Sequence, residues 1–410
     1  MHPVTKSILD YNAGRDPERL RIKLLAINSD PFAFFRGTAP LFYAGLQMPR
    51  HLLQAPQVLA CGDLHLENIG SYKGDNRMVY FDLNDFDEAC MAPLTFELVR
   101  FLSSTIVAAA MLKVSRKQAI RLTATFVDTY AATLLTTKPR WIERGTATGP
   151  IKKLLQRLKS RHRPELIARR TVERKGATKL LIDGIRSMTV TDADRAKAES
   201  ILAAYASTQA SPSHFQPIDI ARRIAGNGSL GLERYVALVR GDGTRDGRYL
   251  VDIKMANPSA LAVHLKQKQP RWVSEAQRIV TLQGIAQAIA PALLGAVDTG
   301  KNSYVIKELQ PTADRINLPA LNGKRQDLES VLSTIAEITA WAHLRGASRF
   351  GVDSIETLAS FAADEAWKTT IKDLAESSAT LNQQQWQAYA VDCNSGKVGG
   401  TQDNKRATKR

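Results

Sequence analysis

Two short apolar runs, each leading straight into polar side chains, constrain this chain more than any other feature. Residues 58–61 (VLAC) and 78–83 (MVYFDL) have the length and composition of buried strands. The polar residues at the ends of these strands are Asp63, His65 and Asn68 for the first and Asp82, Asp85 and Asp87 for the second. Polar side chains in this number are hard to explain as packing. The pattern predicts a functional site on a β-hairpin, with a merely solvated loop as the alternative.

The order of these residues indicates a chemistry. An Asp, an Asn five residues later and another Asp beyond a hairpin-sized gap is the order used by kinase-type phosphotransferases. There the first Asp accepts the proton of the substrate hydroxyl, and the Asn and the second Asp hold magnesium ions. Asp63 is therefore the predicted catalytic base, with His65 beside it. Asn68 and Asp85 are the predicted ligands of Mg²⁺ or Mn²⁺, with Asp82 as the alternative ligand.

A glycine-rich stretch later in the chain fits the same chemistry. Gly226, Gly228 and Gly231 have the spacing of a phosphate-binding loop, with Ser229 inside it. Dinucleotide-binding folds share that spacing, but there a helix follows at once, whereas here two strand-like runs around a turn follow. The second run ends at Lys254 in the sequence V-x-I-K, which is the kinase arrangement for covering and holding ATP phosphates. A solvent-exposed hairpin is the alternative.

Three further residues are predicted to complete a nucleotide site. Glu275 lies in a helix predicted over 272–290 and is the candidate ion-pair partner of Lys254, although a surface glutamate is an equally good interpretation. Glu308 and Leu309 end a predicted strand, and they resemble the hinge between kinase lobes whose backbone groups meet adenine.

Charge and composition bound the possible partners. The chain has 410 residues, 44% of them apolar, and a net charge of +16, which favours an anionic partner such as a nucleotide, a phosphorylated substrate or nucleic acid. Residues 138–175 contain thirteen Lys or Arg against three Asp or Glu, with apolar residues at helical spacing. This segment is either a solvated helix face or a dock for an acidic partner. No RNA- or DNA-binding motif accompanies it.

The composition also predicts the cellular compartment of the protein. The three cysteines have no metal-ligand spacing and form no even framework, so a reducing cytoplasm is expected. No apolar run is long enough to span a membrane. The Gly-rich, basic tail at 395–410 is predicted to be disordered.

The motifs resemble two known groups of proteins. Residues 62–68 (GDLHLEN) and 84–88 (NDFDE) look like the hallmark of the bacterial family catalogued as domain of unknown function 2252, and this resemblance extends over most of the chain. The same residues are similar to the aminoglycoside-phosphotransferase and protein-kinase-like fold. That likeness implies roles for Asp63 as base, Asn68 and Asp85 as magnesium ligands, and Lys254 as phosphate ligand. Cys61 departs from it, standing where those enzymes have a histidine.

The resemblance implies an unusual order of parts. In kinases the glycine-rich small lobe comes first, whereas here the catalytic hairpin precedes it. We therefore expect an α+β, bilobal, circularly permuted protein-kinase-like fold. Residues 216–310 would form a β-rich, ATP-binding small lobe, and 1–215 with 311–394 would form a helical large lobe.

These observations predict an ATP- and magnesium-dependent phosphotransferase acting on a hydroxyl of a small molecule or protein. Nucleotidyl transfer on the same scaffold is an open alternative. Another open alternative is a nucleotide-binding pseudoenzyme, or a nucleic-acid-binding protein that uses the 138–175 segment. A metal-dependent phosphoesterase is disfavoured because the seven histidines are scattered singly.

Overall fold

The computed structural model describes residues 1–159, 162–310 and 315–398. In chain order the helices of these residues are α1 (Pro3–Tyr11), α2 (Pro17–Asn28), α3 (Pro31–Gly37), α4 (Ala39–Gly45), α5 (Arg50–Leu53), α6 (Leu94–Val107), α7 (Arg116–Leu135), α8 (Gly149–Lys159), α9 (Arg163–Ala168), α10 (Asp192–Ala206), α11 (Glu275–Ala286), α12 (Arg325–Gly346), α13 (Ile355–Ala363) and α14 (Ala366–Asn394). The strands are β1 (Gln57–Ala60), β2 (Ile69–Lys73), β3 (Val79–Leu83), β4 (Cys90–Pro93), β5 (Ile142–Glu143), β6 (Thr171–Arg174), β7 (Ala177–Leu180), β8 (Ser187–Met188), β9 (Pro217–Arg223), β10 (Arg234–Val239), β11 (Tyr249–Met255), β12 (Gly295–Asp298) and β13 (Ser303–Glu308). The expected α+β class is confirmed, and none of the described helices is long and apolar enough to cross a membrane. Most of the predicted disordered tail lies outside the described residues.

The hairpin that carries the predicted site consists of two short ladders joined by two loops. Strand β1 pairs antiparallel with β4, and β2 pairs antiparallel with β3. The loop from β1 to β2 and the loop from β3 to β4 therefore both pass from one ladder to the other, and they lie next to each other. The amide of Asn84 donates to the carbonyl of Asn68 at 3.0 Å and ties the loops together. This pairing brings the two groups of polar residues side by side.

A six-stranded antiparallel sheet carries the glycine-rich stretch. Its order is β12-β13-β11-β10-β9-β8. Apolar residues of one face, including Tyr235 and Ile253, pack on helix α10. Alternation along β11 puts Leu250, Asp252 and Lys254 on the opposite face. Strand β8 and helix α10 belong to this layer, so the domain boundary predicted at residue 216 falls inside it.

The main hydrophobic core joins the hairpin to helices α6, α7, α12 and α14. A buried polar network crosses this core. The Glu97 carboxylate accepts from the amide of Cys61 at 2.9 Å and lies 2.7 Å from Nε2 of His343. Nδ1 of His343 lies 2.7 Å from the hydroxyl of Tyr130. Because buried polar groups need partners, this network fixes how α6, α7 and α12 meet the loop after β1.

Helix α12 packs beside strand β1, although some 260 residues separate them in the chain. A Cβ placed on Gly346 would lie 3.3 Å from the side chain of Leu59, so the absence of a side chain lets the helix end approach the strand closely. Asp353, just beyond the helix, accepts from the amide of Gln57 at 2.7 Å. The sequence-based prediction that a helix at 328–347 packs on the strand at 58–61 is confirmed.

Replacing Glu97 with alanine should destabilise the protein by about 3–5 kcal/mol, because it leaves Nε2 of His343 and the amide of Cys61 buried without a partner. Urea unfolding measures the loss. The control is Glu329→Ala on helix α12, where the carboxylate pairs with the exposed side chain of Arg325 and the expected cost is below about 0.5 kcal/mol. Equal losses in the two variants would contradict a structural role for the buried network.

Candidate active site

The two hairpin loops and the glycine-rich segment line one cavity of about 70 Å³. Seven of the predicted site residues lie in its wall, namely Asp63, His65, Asn68, Asp85, Gly226, Gly228 and Ser229. They come from segments about 160 residues apart, so only the tertiary fold brings them together. The cavity wall is dominated by charged and polar groups, which suits a polar or charged ligand rather than an apolar one.

Lys254, on strand β11, does not line this cavity but pairs with two carboxylates that do. Its ammonium lies 3.5 Å from the Asp85 carboxylate and also pairs with Asp87, so the predicted meeting of Lys254 and Asp85 is confirmed. Burial would raise the pKa of Asp85, but Lys254 and Lys307 hold it well below its usual range. Burial and the neighbouring Asp85 raise the pKa of Asp87. Burial would lower the pKa of Lys254, but the two carboxylates raise it, so the lysine stays charged.

Asp63 is held by a buried arginine. Nε of Arg100 donates to the Asp63 carboxylate at 2.9 Å, and the guanidinium lies 3.7 Å from the ring centre of Phe35 and 4.6 Å from that of Phe42. Burial raises the pKa of Asp63 to about 6, although Arg100 acts in the opposite direction. Asp63 is therefore mostly ionised at neutral pH and close to the range in which a carboxylate can take up a proton.

Asn68 presents a free oxygen at the site. Its Nδ2 donates to the backbone carbonyls of Asp63 at 2.9 Å and Asp85 at 3.2 Å. Its buried Oδ1 has no hydrogen-bond partner. Such unpaired buried oxygens are uncommon, and a hard cation would satisfy this one. Among the described residues no group of three His, Cys, Asp or Glu could enclose a metal. An ion on Asn68 and Asp85 would therefore need phosphate or water oxygens as further ligands, which is usual for Mg²⁺.

The N-terminal helices hold the glycine-rich segment from outside. The carbonyl of Gly228 accepts from Arg15 and from Lys23, each at 2.8 Å. The carbonyl of Gly231 accepts from the amide of Asp16 at 3.0 Å. Burial holds the pKa of Lys23 well below its usual range. This contact could not be predicted from the sequence, because no local pattern links residues more than 200 positions apart.

Other charged groups line the cavity besides the predicted site residues. Glu88 accepts from the amide of Ala260, and burial raises its pKa to about 7, so it is a second carboxyl able to exchange a proton near neutral pH. Arg36 pairs with Glu67 at 2.6 Å in the cavity wall. The signal for Glu88 was present, since it directly follows Asp87 in the second motif.

His65 lines the cavity but is placed to shape the loop. Its Nδ1 accepts from the amide of Glu67 at 3.1 Å, and its ring meets that of Phe32 edge to face. Burial and nearby arginines hold the pKa of His65 well below its usual range, so the ring is neutral. A neutral ring that accepts from its own loop orients that loop and is poorly suited to carry a proton.

Two predicted residues are corrected by the structure. Asp82 does not line the cavity, because it lies within strand β3, where it accepts from the amide of Leu83 at 2.8 Å and pairs with Arg345 at 3.4 Å. Glu275 does not pair with Lys254. It pairs with Arg278 one turn along α11, at 2.6 Å, and Arg278 donates to the carbonyl of Asp87 at 2.9 Å.

The predicted hinge residues Glu308 and Leu309 do not line the cavity that contains Asp63. Their amides are already used, since Glu308 N–H donates to Ala292 at 3.0 Å and Leu309 N–H donates to Leu250 at 2.8 Å. The sheet face beside them is covered, because Leu309 packs in a buried cluster with Ile167. Glu308, Leu309 and Gln310 nevertheless line a second cavity, of about 110 Å³. The end of the predicted hinge at residue 311 lies outside the described residues, and a contact with adenine stays a prediction.

Gly62→Ala should cost about 3 kcal/mol or more. Gly62 has a φ of +83°, and a Cβ there would lie 1.9 Å from the backbone oxygen of Glu88, which would force the two loops apart. The matched control is Gly300→Ala, with a φ of +79° and no atom within 4 Å of the added Cβ, where about 1–2 kcal/mol is expected. Urea unfolding compares them. A loss at Gly62 no larger than at Gly300 would contradict the close approach of the loops.

A family model matches almost the whole chain. No curated protein and no solved structure matches it. The family model covers residues 15–392, which include both hairpin loops, the glycine-rich segment and Lys254. The chain therefore belongs to the bacterial protein family described as "Uncharacterized protein conserved in bacteria (DUF2252)".

Proposed function

We propose that this protein is a magnesium-dependent phosphotransferase that moves a phosphoryl group from ATP to a hydroxyl. The observation that carries the proposal is the convergence of Asp63, Asn68 and Asp85 on one polar cavity, with Lys254 paired to Asp85 beside it. A base, an amide oxygen, a carboxylate and an ammonium are the groups that kinase-type transfer requires. Their separation in sequence makes a chance arrangement a poor explanation.

The topology around the cavity supports a kinase-like, circularly permuted arrangement. The glycine-rich segment joins β9 to β10, Lys254 lies on the third strand of that series, and one helix, α11, precedes the fourth. Kinases place their phosphate-binding lysine on the third strand and follow it with a helix. Helix α12 ends beside β1, which is consistent with an ancestor in which that helix led directly into the catalytic strand.

Each side chain has a role in the proposed reaction. Asp63, ionised at neutral pH and held by Arg100, aligns the acceptor hydroxyl and takes its proton. Lys254 exchanges its contacts with Asp85 and Asp87 for phosphate oxygens when the donor enters. That exchange releases the Asp85 carboxylate to act as an ion ligand together with Oδ1 of Asn68. Mg²⁺, when bound, would offset the charge that develops on the transferred phosphoryl group.

The proposal concerns the phosphate end of the donor. A cavity of about 70 Å³ is smaller than the roughly 300–1,000 Å³ typical of ligand pockets, so the cleft must widen to admit a nucleotide. Because the sheet face at Leu309 is covered by Ile167 and Leu180, we assign no contact to the base.

A second candidate function is nucleotide binding without transfer. The buried guanidinium of Arg100 on Asp63 favours it, because this pairing opposes the rise in the pKa of Asp63 that burial causes and so weakens its proton affinity. Turnover distinguishes the two functions, since both require Mg·ATP to bind.

The test is to incubate the protein with Mg·ATP and a metabolite extract and to identify phosphorylated products by mass spectrometry. Asp63→Asn should lower transfer by about a hundredfold or more, because the amide still accepts from Arg100 but takes up no proton. The wild-type rate should fall below about pH 6 as Asp63 is protonated. Full transfer by Asp63→Asn would overturn the assignment of the base. Binding of Mg·ATP without turnover by the wild type would favour the second candidate.

Calorimetry can distinguish which of the two candidate carboxylates, Asp85 or Asp82, binds the ion. Asp85→Asn should abolish magnesium-dependent binding of ATP, because it removes the charged ligand in the cavity. Asp82→Asn should retain that binding, because Asp82 pairs with Arg345 away from the cavity. The reverse pattern would transfer the ligand role to Asp82.

A further inference from the structure

We propose that a groove beside the cleft binds the phosphate acceptor, and that this acceptor is a neutral or anionic alcohol with an apolar body. The inference rests on the proposed function for the reaction, but the binding that it asserts can be measured by itself. The groove has a volume of about 500 Å³ and lies between helix α1, the α3–α4 corner and the loop at 257–264. That volume is within the range of small-molecule sites.

The lining of the groove is largely apolar, and part of it is open to solvent. Its apolar side chains come from three segments of the chain and include Ile8, Pro40, Leu41, Ala44, Pro258 and Val263. Val263 is 73% exposed, and Ala44 is also exposed. Apolar side chains gathered in a concave, solvent-accessible site gain free energy when a ligand covers them. This lining contrasts with the charged wall of the neighbouring cleft.

The groove is continuous with the candidate active site. Tyr11, Arg15 and Asn257 line both the groove and the cavity that contains Asp63. Ser259, also in the groove wall, donates to the carbonyl of Glu88 at 2.8 Å. A molecule in the groove can therefore point one end past Tyr11 toward Asp63, while its body stays on the apolar side chains. This is the geometry that an acceptor needs relative to its base.

Charge selects the class of acceptor. Among the described residues that line the groove, the basic side chains are Arg15 and His264, and none is a carboxylate. A cationic acceptor would find no counter-charge there and would lose hydration, whereas a neutral or anionic one would not. The groove is therefore unsuited to polyamine-like or aminoglycoside-like acceptors. A hydroxyl compound with a hydrocarbon body fits its walls.

The test uses three matched probes, which are hexanol, its omega-carboxylate analogue and its omega-amino analogue. Saturation-transfer NMR on the full chain should detect the first two in the groove, with the amino analogue bound about tenfold more weakly or not at all. Ala44→Trp should weaken binding of hexanol by about tenfold, because the indole fills the groove. Gln47→Trp adds the same side chain at an exposed position outside the groove and should leave binding unchanged.

Transfer is measured with the same probes and Mg·ATP. Phosphorylation of hexanol by the wild type, lost in Ala44→Trp and retained in Gln47→Trp, would support the acceptor assignment. Equal binding of all three probes, or no effect of Ala44→Trp on binding, would overturn it. If hexanol binds in the groove but Mg·ATP is never turned over with any acceptor, including water, the proposed function fails while the groove remains a ligand site.

Discussion

The contact of Lys254 with Asp85 and Asp87 is the interaction on which the site depends. It joins the six-stranded sheet to the hairpin across 169 residues of chain. The Lys254 side chain is buried, whereas the side chains of Asp85 and Asp87 are 49% and 29% exposed. A buried ammonium is costly unless it is paired, and both carboxylates pair with this one. The sheet is thereby fixed over the hairpin, and the glycine-rich segment is carried to the cavity.

Other carboxylates in and around the cleft also form ion pairs with buried cationic side chains. Arg100 pairs with Asp63 below the cavity, and Asp252 is held on the sheet by Arg223 and Arg234. Burial would raise the pKa of Asp252, but the two guanidinium groups hold it well below its usual range. These pairs keep carboxylates ionised in a region with little water. An anionic ligand entering the cleft would therefore compete for cations that are already engaged, and binding would be coupled to rearrangement of the ion pairs.

Two segments enclose the cleft beyond what the resemblance to kinases suggests. Arg15, in the turn between α1 and α2, and Lys23, on α2, hold carbonyls of the glycine-rich segment. Helix α9 and the β6–β7 hairpin cover the sheet face at Leu250 and Leu309. Helix α1 and Arg15 also line the groove beside the cleft, so the N-terminal segment contributes to both walls.

The sequence by itself determined the local features. Strand and helix positions, the two polar loops and the glycine-rich segment follow from periodicity and turn residues, which act over a few positions. The sequence could not determine which partner each charged side chain contacts. Glu275 finds Arg278 on its own helix, Asp82 turns to Arg345, and the amide of Leu309 is used by the sheet. Those outcomes depend on which side chains the tertiary structure brings within a few ångströms, and Coulombic and hydrogen-bond energies fall off over that distance. Only the fold could decide that Lys254 meets Asp85, and that Arg15 and Lys23 reach Gly228.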